Sequence, residues 1–347
     1  MLKRTHNSSS SNRNHHHHHR QEKQKKQKRR VAILVCPAQF CVPVDYESLF
    51  TVLLKQPIYN NNDNITIGTC HVCDLPRTEW IKVAQQLPTM NFINAQLPIA
   101  PTLGWYFAAM ESSLNHIIAQ EQLYRTTTNR RKKQNDDDND NDDDEFSICI
   151  IGHSIGGWVA RAYLGGLSLS SSALYTYTKQ HISSFITLGT PHISPSTALV
   201  DQTRGLLAAI ESSSTCTPQS LIDTSGNYRN EPLEITCVGS SAISGNFLTT
   251  NVEEFVAASS YLPLTGKGNG VMGDGIVPLE LAFLDHPAKR IEIRECLRTQ
   301  QPIRHCHVVP TPWNLIDGYA PSIALSSDTF PSYISDGVVQ QWAHCIR

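Results

Sequence analysis

The sequence lacks any long apolar run. No stretch of it approaches the roughly 18 consecutive apolar residues that a membrane-spanning helix needs. Residues 1–30 also lack the apolar segment that forms the centre of a signal peptide. We therefore expect a soluble or peripheral protein inside the cell, in the cytoplasm or in a plastid, and the sequence leaves the compartment open. A transit peptide is an alternative, because residues 1–30 are basic and nearly free of acidic side chains but have no amphipathic apolar face.

The chain also has little net charge. Its 29 Lys and Arg residues and 31 Asp and Glu residues give a formal charge of -2, so bulk electrostatics favour neither a nucleic-acid partner nor a polyanionic substrate. No obligate protein partner is inferred. Without a secretory leader, the ten cysteines are expected to be reduced thiols. Cys70 and Cys73 have C-x-x-C spacing, but no second Cys/His pair lies at zinc-site distance, so no metal is predicted.

Two segments are too polar to pack. Residues 1–30 combine a histidine run, His15 to His19, with a basic block, and we expect a disordered basic tail. The run is either a native low-complexity tract or a purification tag. A basic and then acidic stretch at about 126–145 is predicted to be a disordered, solvated insertion. Residues 31–347, which are long enough to bury one sizeable core, are predicted to form a single catalytic domain.

Short apolar, β-branched runs recur between these segments and are typical of buried strands in a parallel sheet. A helical stripe at spacings of three and four runs from Leu103 to Ile118. Strands that alternate with helices indicate an α/β fold, with a mostly parallel central sheet and helices on both faces. The predicted strands are Val31 to Cys36, Ile65 to Cys70, Phe146 to Ile151, Phe185 to Leu188, Leu233 to Val238 and Arg290 to Glu295.

One of these strands runs directly into a G-x-S-x-G pattern. The segment Gly152-His-Ser-Ile-Gly-Gly157 follows Phe146 to Ile151 and precedes a helical stretch, which is the context of a nucleophile elbow. Its glycines are needed because a sharp strand-to-helix turn closes only without side chains beside the serine. Ser154 is therefore the predicted nucleophile, and the Ile155 N–H is the first predicted oxyanion donor. A glycine-rich turn in another kind of α/β protein is the alternative.

A serine nucleophile needs a histidine base and a carboxylate that orients it. In α/β-hydrolases the chain order is Ser, acid, His. Asp274 lies between two glycines after the strand at 233–238 and is the predicted acid, although an ordinary Asp-Gly turn has the same pattern. His305 and His307 both follow the last predicted strand. The sequence leaves both open, and we prefer His307 as the base.

These residues resemble the lipase-like α/β-hydrolases of plants, algae and cyanobacteria, which are related more distantly to GPI inositol-deacylase-like proteins and triacylglycerol lipases. The resemblance implies an α/β-hydrolase fold, lipase or esterase activity, and triad roles for Ser154 and Asp274. Two features depart from the family. The loop that follows the last predicted strand has two histidines, His305 and His307, instead of one. The segment Cys36-Pro-Ala-Gln-Phe-Cys41 stands where family members often have a Pro-Gly-rich oxyanion loop, and we suggest the Gln39 N–H as the second oxyanion donor. The motifs that carry the likeness are Gly152 to Gly157, Leu188-Gly-Thr-Pro-His192, Gln202-Thr-Arg-Gly-Leu206 and Gly273-Asp-Gly-Ile-Val-Pro278.

We therefore predict a serine hydrolase that cleaves carboxylic esters through an acyl-enzyme and needs no metal or organic cofactor. Lipid acyl esters are the expected substrates, both from the resemblance and because the insertion at about 240–270 is long enough for a cap or lid. Thioester or amide hydrolysis is an alternative. A non-catalytic α/β-hydrolase-like binding protein is another. The basic tail is expected to allow peripheral contact with an anionic membrane.

Overall fold

The computed structural model describes most of the chain from residue 28 onwards. The described ranges are 28–55, 58–60, 63–134, 146–168, 173–195, 197–199, 201–224, 231–306, 308–309, 323–324 and 329–347. The tail at 1–27 and residues 135–145 of the charged segment therefore lie outside the described residues.

Eleven strands are present in the described residues. They are β1 (Lys28–Cys36), β2 (Ile58–Asn60), β3 (Asp63–Val72), β4 (Phe146–His153), β5 (Ile182–Leu188), β6 (Glu234–Ser240), β7 (Ile243–Ser244), β8 (Met272–Gly273), β9 (Lys289–Ile293), β10 (Val308–Val309) and β11 (Ile323–Ala324). Seven of them form one sheet in the order β2, β3, β1, β4, β5, β6, β9. The last six of that order run parallel, and β2 pairs antiparallel with β3 at the edge.

The predicted fold class is confirmed. All six apolar runs that the sequence indicated lie within strands of the parallel part of the sheet, except that the fifth run starts one residue before β6 and the last continues two residues beyond β9. The central strands β4, β5 and β6, and β1 from Val31 onwards, are buried because helices cover both faces, which is the usual arrangement for parallel sheets.

Ten α-helices connect and cover the strands in the described residues. They are α1 (Glu47–Lys55), α2 (Ile81–Ala84), α3 (Met90–Ile93), α4 (Ile99–Gln134), α5 (Ile155–Leu164), α6 (Ala173–Lys179), α7 (Leu206–Ser212), α8 (Pro218–Thr224), α9 (Val252–Thr265) and α10 (Asp336–Trp342). Alternate residues of β1 show how the two layers share the sheet. Val31 and Ile33 belong to the core that includes residues of α1 and α10, whereas Ala32 and Leu34 belong to the core that includes residues of α4 and α5.

Helix α4 corrects one boundary. Residues 126–134 were predicted to belong to a disordered loop, but the helix continues through them to Gln134. Each of Thr126, Thr127 and Thr128 donates its hydroxyl to the carbonyl oxygen four residues earlier at 2.9 Å, so these polar side chains are satisfied without leaving the helix. The Lys, Arg and Gln residues that follow have high helix propensity. Despite its length, α4 is not a membrane span: within the described residues, no helix is both long and apolar enough to cross a bilayer.

The polar residues singled out by the sequence collect at one edge of the sheet. Ser154 directly follows β4, and the segment with Gln39 follows β1. Asp274 follows the two-residue strand β8, which comes after β6 and α9, and His305 lies beyond β9. The carboxyl ends of parallel strands form the usual site of α/β proteins, because loops from several strands meet there.

Candidate active site

Ser154 lies on a tight turn between β4 and α5. Its backbone has φ 54° and ψ -125°, a conformation that is strained for a residue with a side chain. The Ser154 N–H donates to the carbonyl of Leu188 at 2.9 Å, which ties the turn to the end of β5. The half-buried side chain borders a cavity of about 810 Å³ that Asp274 and His305 also line.

The glycines around Ser154 are required by close backbone contacts. A Cβ atom on Gly152 would lie 2.3 Å from the Cα of Gly157, and one on Gly156 would lie 2.1 Å from the carbonyl oxygen of Cys36. A Cβ on Gly157 would lie 2.1 Å from Oγ1 of Thr190. The elbow glycines therefore let α5 pack directly against the ends of β1 and β5.

Asp274 is buried and holds four hydrogen bonds. Its Oδ1 accepts from the N–H groups of Ile276 (3.0 Å) and Val277 (2.7 Å). Its Oδ2 accepts from Nδ1 of His305 (2.8 Å) and from the hydroxyl of Tyr333 (3.0 Å). All four partners are donors, so the site is built for a carboxylate rather than for a neutral amide.

His305 is the histidine that pairs with Asp274. Its backbone N–H also donates to the carbonyl of Asp274 at 3.0 Å, so two bonds fix the base loop to the acid turn. A carboxylate partner places the proton on Nδ1 and leaves Nε2 as the acceptor, which is the tautomer that a general base requires. His307, which the sequence analysis preferred, lies outside the described residues.

The electrostatics favour an ionised acid. Burial by itself raises the pKa of Asp274, but the charge and hydrogen bond of His305, together with the N–H groups of Val277 and Ile276, lower that pKa below its ordinary value. Burial and the neighbouring Asp274 raise the pKa of Tyr333 well above its usual range, so Tyr333 remains a donor.

Gly189, from the Leu188-Gly-Thr-Pro-His192 motif, makes room for this pair. Its φ is 53°, and a Cβ there would lie 2.7 Å from Oδ2 of Asp274 and 2.5 Å from the ring of Tyr333. The motif that carried part of the resemblance therefore has a steric role beside the Asp274 and His305 side chains.

Gln39 and Ile155 each border a cavity that Ser154 also borders. The Ile155 N–H is at the first position of α5, where it has no acceptor within the helix. The turn after β1 brings Gln39 to the cavity that Ser154 borders, and no hydrogen bond of the Gln39 N–H to a described residue is present. These are the two oxyanion donors that the sequence analysis named, and they remain proposals.

A chain of hydrogen bonds connects this turn to the base loop. The Ala38 N–H donates to the hydroxyl of Tyr46 at 2.8 Å, and that hydroxyl lies 2.9 Å from Nδ1 of His153. Nε2 of His153 lies 2.8 Å from the carbonyl oxygen of His305. Because that carbonyl only accepts, Nε2 carries the proton and Nδ1 accepts from Tyr46. One tautomer thus satisfies every group between Ala38 and His305.

Sequence reasoning missed Tyr333, Tyr46 and His153. His153 stands directly before the nucleophile in the G-x-S-x-G segment, and that position was a usable signal. Tyr333 is 59 residues from its partner Asp274 in the sequence, and Tyr46 is 107 residues from its partner His153. No local sequence pattern marks either tyrosine.

The side chains here do not form a plausible metal site. In the described part of the chain, one group of three residues has possible ligand atoms within 4.8 Å of one another, namely His153, His305 and Cys306. Both ring nitrogens of His153 and Nδ1 of His305 already have protein partners. A hydrogen bond with Cys41, together with burial, raises the pKa of Cys306 well above its ordinary value, which disfavours the thiolate that binds metals.

Comparison with known proteins identifies one family. Residues 106–239 match the family described as the PGAP1-like alpha/beta domain. The matched stretch begins within α4, contains Ser154 and ends at β6, before Asp274. A search of curated proteins finds none that matches the chain.

Proposed function

We propose, from the premise that residues 106–239 carry a PGAP1-like α/β-hydrolase domain of the GPI inositol-deacylase-like type, that the protein is a serine hydrolase of carboxylic esters. One observation carries the proposal: a strained Ser154 borders the same cavity as the hydrogen-bonded pair of Asp274 and His305. A nucleophile, a base and an orienting acid are the three groups that acyl transfer to water needs.

In the proposed reaction, Nε2 of His305 takes the proton of the Ser154 hydroxyl while Oγ attacks the ester carbonyl carbon. The resulting tetrahedral intermediate collapses as His305 returns the proton to the leaving alcohol oxygen. His305 then takes a proton from a water molecule, which attacks the carbonyl carbon of the acyl-enzyme. His305 returns this proton to Oγ of Ser154 as the carboxylic acid product leaves. Asp274 remains ionised throughout and stabilises the imidazolium form of His305.

The N–H groups of Ile155 and Gln39 are the proposed donors to the negatively charged carbonyl oxygen. At the N-terminus of α5 the helix dipole also favours this negative charge. Removing one donor of this kind typically reduces the rate about 10²- to 10³-fold.

Lipid-like esters are the proposed substrate class. The cavity of about 810 Å³ is walled by apolar side chains of α9 and of the acid turn, among them Val252, Val256 and Ile276. These three side chains are also largely exposed, at 75%, 49% and 45%. Apolar surface beside a concave site is where an apolar ligand gains most from leaving water.

The test compares wild type with Ser154→Ala on p-nitrophenyl esters from acetate to palmitate. Loss of Ser154 is expected to lower kcat by roughly 10⁴- to 10⁶-fold. An unchanged rate in the variant, or a wild type that is inactive on every ester, contradicts the proposal. A wild-type rate that is highest on acetate contradicts the lipid preference alone.

The two histidines of the base loop provide a matched pair for the second test. His305→Gln is expected to lose activity to a similar degree as Ser154→Ala, because both remove the same proton transfer. His307→Gln is expected to retain activity within tenfold. The reverse result restores His307 as the base.

A further inference from the structure

Ser154 stands where two cavities meet. The first is the cavity of about 810 Å³ already described, and the second has a volume of about 260 Å³. Ser154, Gln39 and Ile276 line both of them. An ester bound at Ser154 has two arms, the acyl chain and the alcohol, so two cavities raise the question of which arm enters which.

The position of His305 distinguishes the two cavities. His305 and Asp274 line the larger cavity, whereas the smaller one is lined by Ile155 and by neither of them. In acyl transfer the histidine must hand its proton to the leaving oxygen, so the leaving group lies on the side of the histidine. The alcohol arm therefore belongs in the larger cavity, and the acyl arm has the smaller one available.

The walls of the smaller cavity suit an apolar chain. Buried side chains of α4, α5 and α7 line it, namely Leu103, Trp158, Leu206 and Leu207. Its charged residues have partners: Asp201 accepts from the N–H groups of Thr203 and Gly205, and the guanidinium of Arg204 lies 4.7 Å above the ring of Phe92. Its volume of about 260 Å³ is about a third of the 810 Å³ of the larger cavity, so the smaller cavity restricts the length of the chain that fits.

The larger cavity suits a bulky, uncharged group. Glu253 of α9 and Arg304 of the base loop both line it, and Arg304 donates to both carboxylate oxygens of Glu253. Because these two charges neutralise each other, neither is free to bind an ionic ligand. The carboxylate of Asp274, which also lines this cavity, is already held by four donors. Val256 and Phe330 add apolar surface.

We propose that the smaller cavity is an acyl-chain pocket that limits the length of the acyl chain, and that the larger cavity accepts a bulky neutral alcohol. This assignment rests on the proposed esterase function and adds which arm of the ester each cavity selects.

Two substrate series test the assignment. In the first, p-nitrophenyl is kept and the acyl chain grows from two to sixteen carbons. In the second, the acyl group is kept at butanoate and the alcohol grows from ethanol to a long-chain monoalkyl glycerol. We expect kcat/KM to rise up to about fourfold for each methylene that becomes buried, to reach a maximum when the smaller cavity is filled, and to fall for longer acyl chains. The alcohol series is expected to show no such limit.

Matched variants place a bulky ring in each cavity in turn. Ala198 is half-buried and lines only the smaller cavity, whereas Val256 is half-exposed and lines only the larger one. Ala198→Phe is expected to shorten the acyl optimum, because the ring fills part of the smaller cavity, and to leave the alcohol profile unchanged. Val256→Trp is expected to lower kcat/KM for the large alcohols and to leave the acyl optimum unchanged.

Each outcome is decisive for the assignment. An acyl optimum that moves with Val256→Trp and not with Ala198→Phe reverses it, and an optimum that moves with neither variant overturns it. Melting temperatures within a few degrees of wild type establish that both variants are folded. If Ala198→Phe does not fold, Ile193→Ala provides the second test: it enlarges the smaller cavity and should shift the acyl optimum to longer chains. A wild type without activity on any ester instead removes the proposed function itself.

Discussion

Replacing Asp274 by asparagine tests the acid without changing its size. In the native site Oδ1 accepts two backbone N–H groups, whereas Oδ2 accepts from His305 and Tyr333. In the Asp274→Asn variant, the single amide oxygen must serve the two N–H groups, because they cannot rotate away. The NH₂ group of the new side chain then faces His305 and Tyr333. The hydroxyl of Tyr333 is able to rotate and accept a hydrogen bond from this NH₂ group. The ring of His305 accepts such a bond only if its Nδ1 is unprotonated.

That change of tautomer determines the size of the effect. With Nδ1 unprotonated, the neutral ring carries its proton on Nε2, so the atom that should take the Ser154 proton is already occupied. The same exchange in a serine protease triad lowers kcat about 10⁴-fold through the wrong tautomer. A loss of that size corresponds to about 5.4 kcal/mol of transition-state stabilisation. We expect a similar loss here, since the buried carboxylate and the histidine are bonded in the same way.

The assay measures kcat on a soluble p-nitrophenyl ester for Asp274→Asn, with Tyr333→Phe as the matched control. Tyr333→Phe removes one hydrogen bond to the same Oδ2 but leaves the tautomer of His305 unchanged. Its expected loss is about 10- to 160-fold, which corresponds to a hydrogen bond to a charged group of roughly 1.5–3 kcal/mol. If Asp274→Asn keeps its rate within tenfold of wild type, or loses no more than Tyr333→Phe, the tautomer argument is refuted.

Three further predictions concern stability and positioning. Tyr46→Phe leaves the Ala38 N–H and Nδ1 of His153 without their shared partner, so it should lower the free energy of unfolding by about 1–3 kcal/mol and should also lower kcat. The control is Tyr175→Phe, whose native hydroxyl donates to the carbonyl of Leu164 and which should leave kcat unchanged. Equal kcat values for the two variants would contradict this prediction. Glu121 is fully buried, pairs with Arg30 and accepts two hydrogen bonds from Thr69. Glu121→Gln should therefore lower the urea midpoint of unfolding by the equivalent of about 3 kcal/mol and leave the activity of the folded protein unaltered. An unshifted midpoint would contradict this prediction. Because folding lowers the pKa of Asp274, ionisation of this side chain stabilises the fold at pH values above its unfolded pKa of about 3.9, and the stabilisation is lost as the pH falls through the folded pKa. The difference in melting temperature between wild type and Asp274→Asn should therefore shrink below about pH 4. A difference that is constant from pH 6 to pH 2.5 would disprove the linkage.

The sequence predicted the sheet because its strands carry their own signal. Strands β4 and β5 are buried at every position, and β1 is buried from Val31 onwards, so each contains a short, mostly apolar run that is typical of a parallel strand. The far end of α4 was missed for the opposite reason. Residues 126–134 are polar, and composition alone does not separate an exposed helical extension from a loop.

The sequence marked the elbow that carries the proposed nucleophile but did not show which histidine pairs with Asp274, for a physical reason. The elbow is a local structure, and its three glycines and its serine lie within six consecutive positions. His305, the proposed base, is distinguished by its contact with Asp274, 31 residues away. His305 and His307 are two positions apart in the sequence, so chain order and spacing alone do not separate them.

The most direct test of the central claim is to identify the residue that a serine-directed alkyl fluorophosphonate labels. The phosphorus forms a bond to the nucleophilic oxygen and fluoride leaves, so the adduct marks the attacking residue. We predict one adduct per chain, located on Ser154 by peptide mass spectrometry, absent from Ser154→Ala and strongly slowed in His305→Gln. An adduct on another residue, or none on a folded wild-type protein, would contradict the claim that Ser154 is an activated nucleophile.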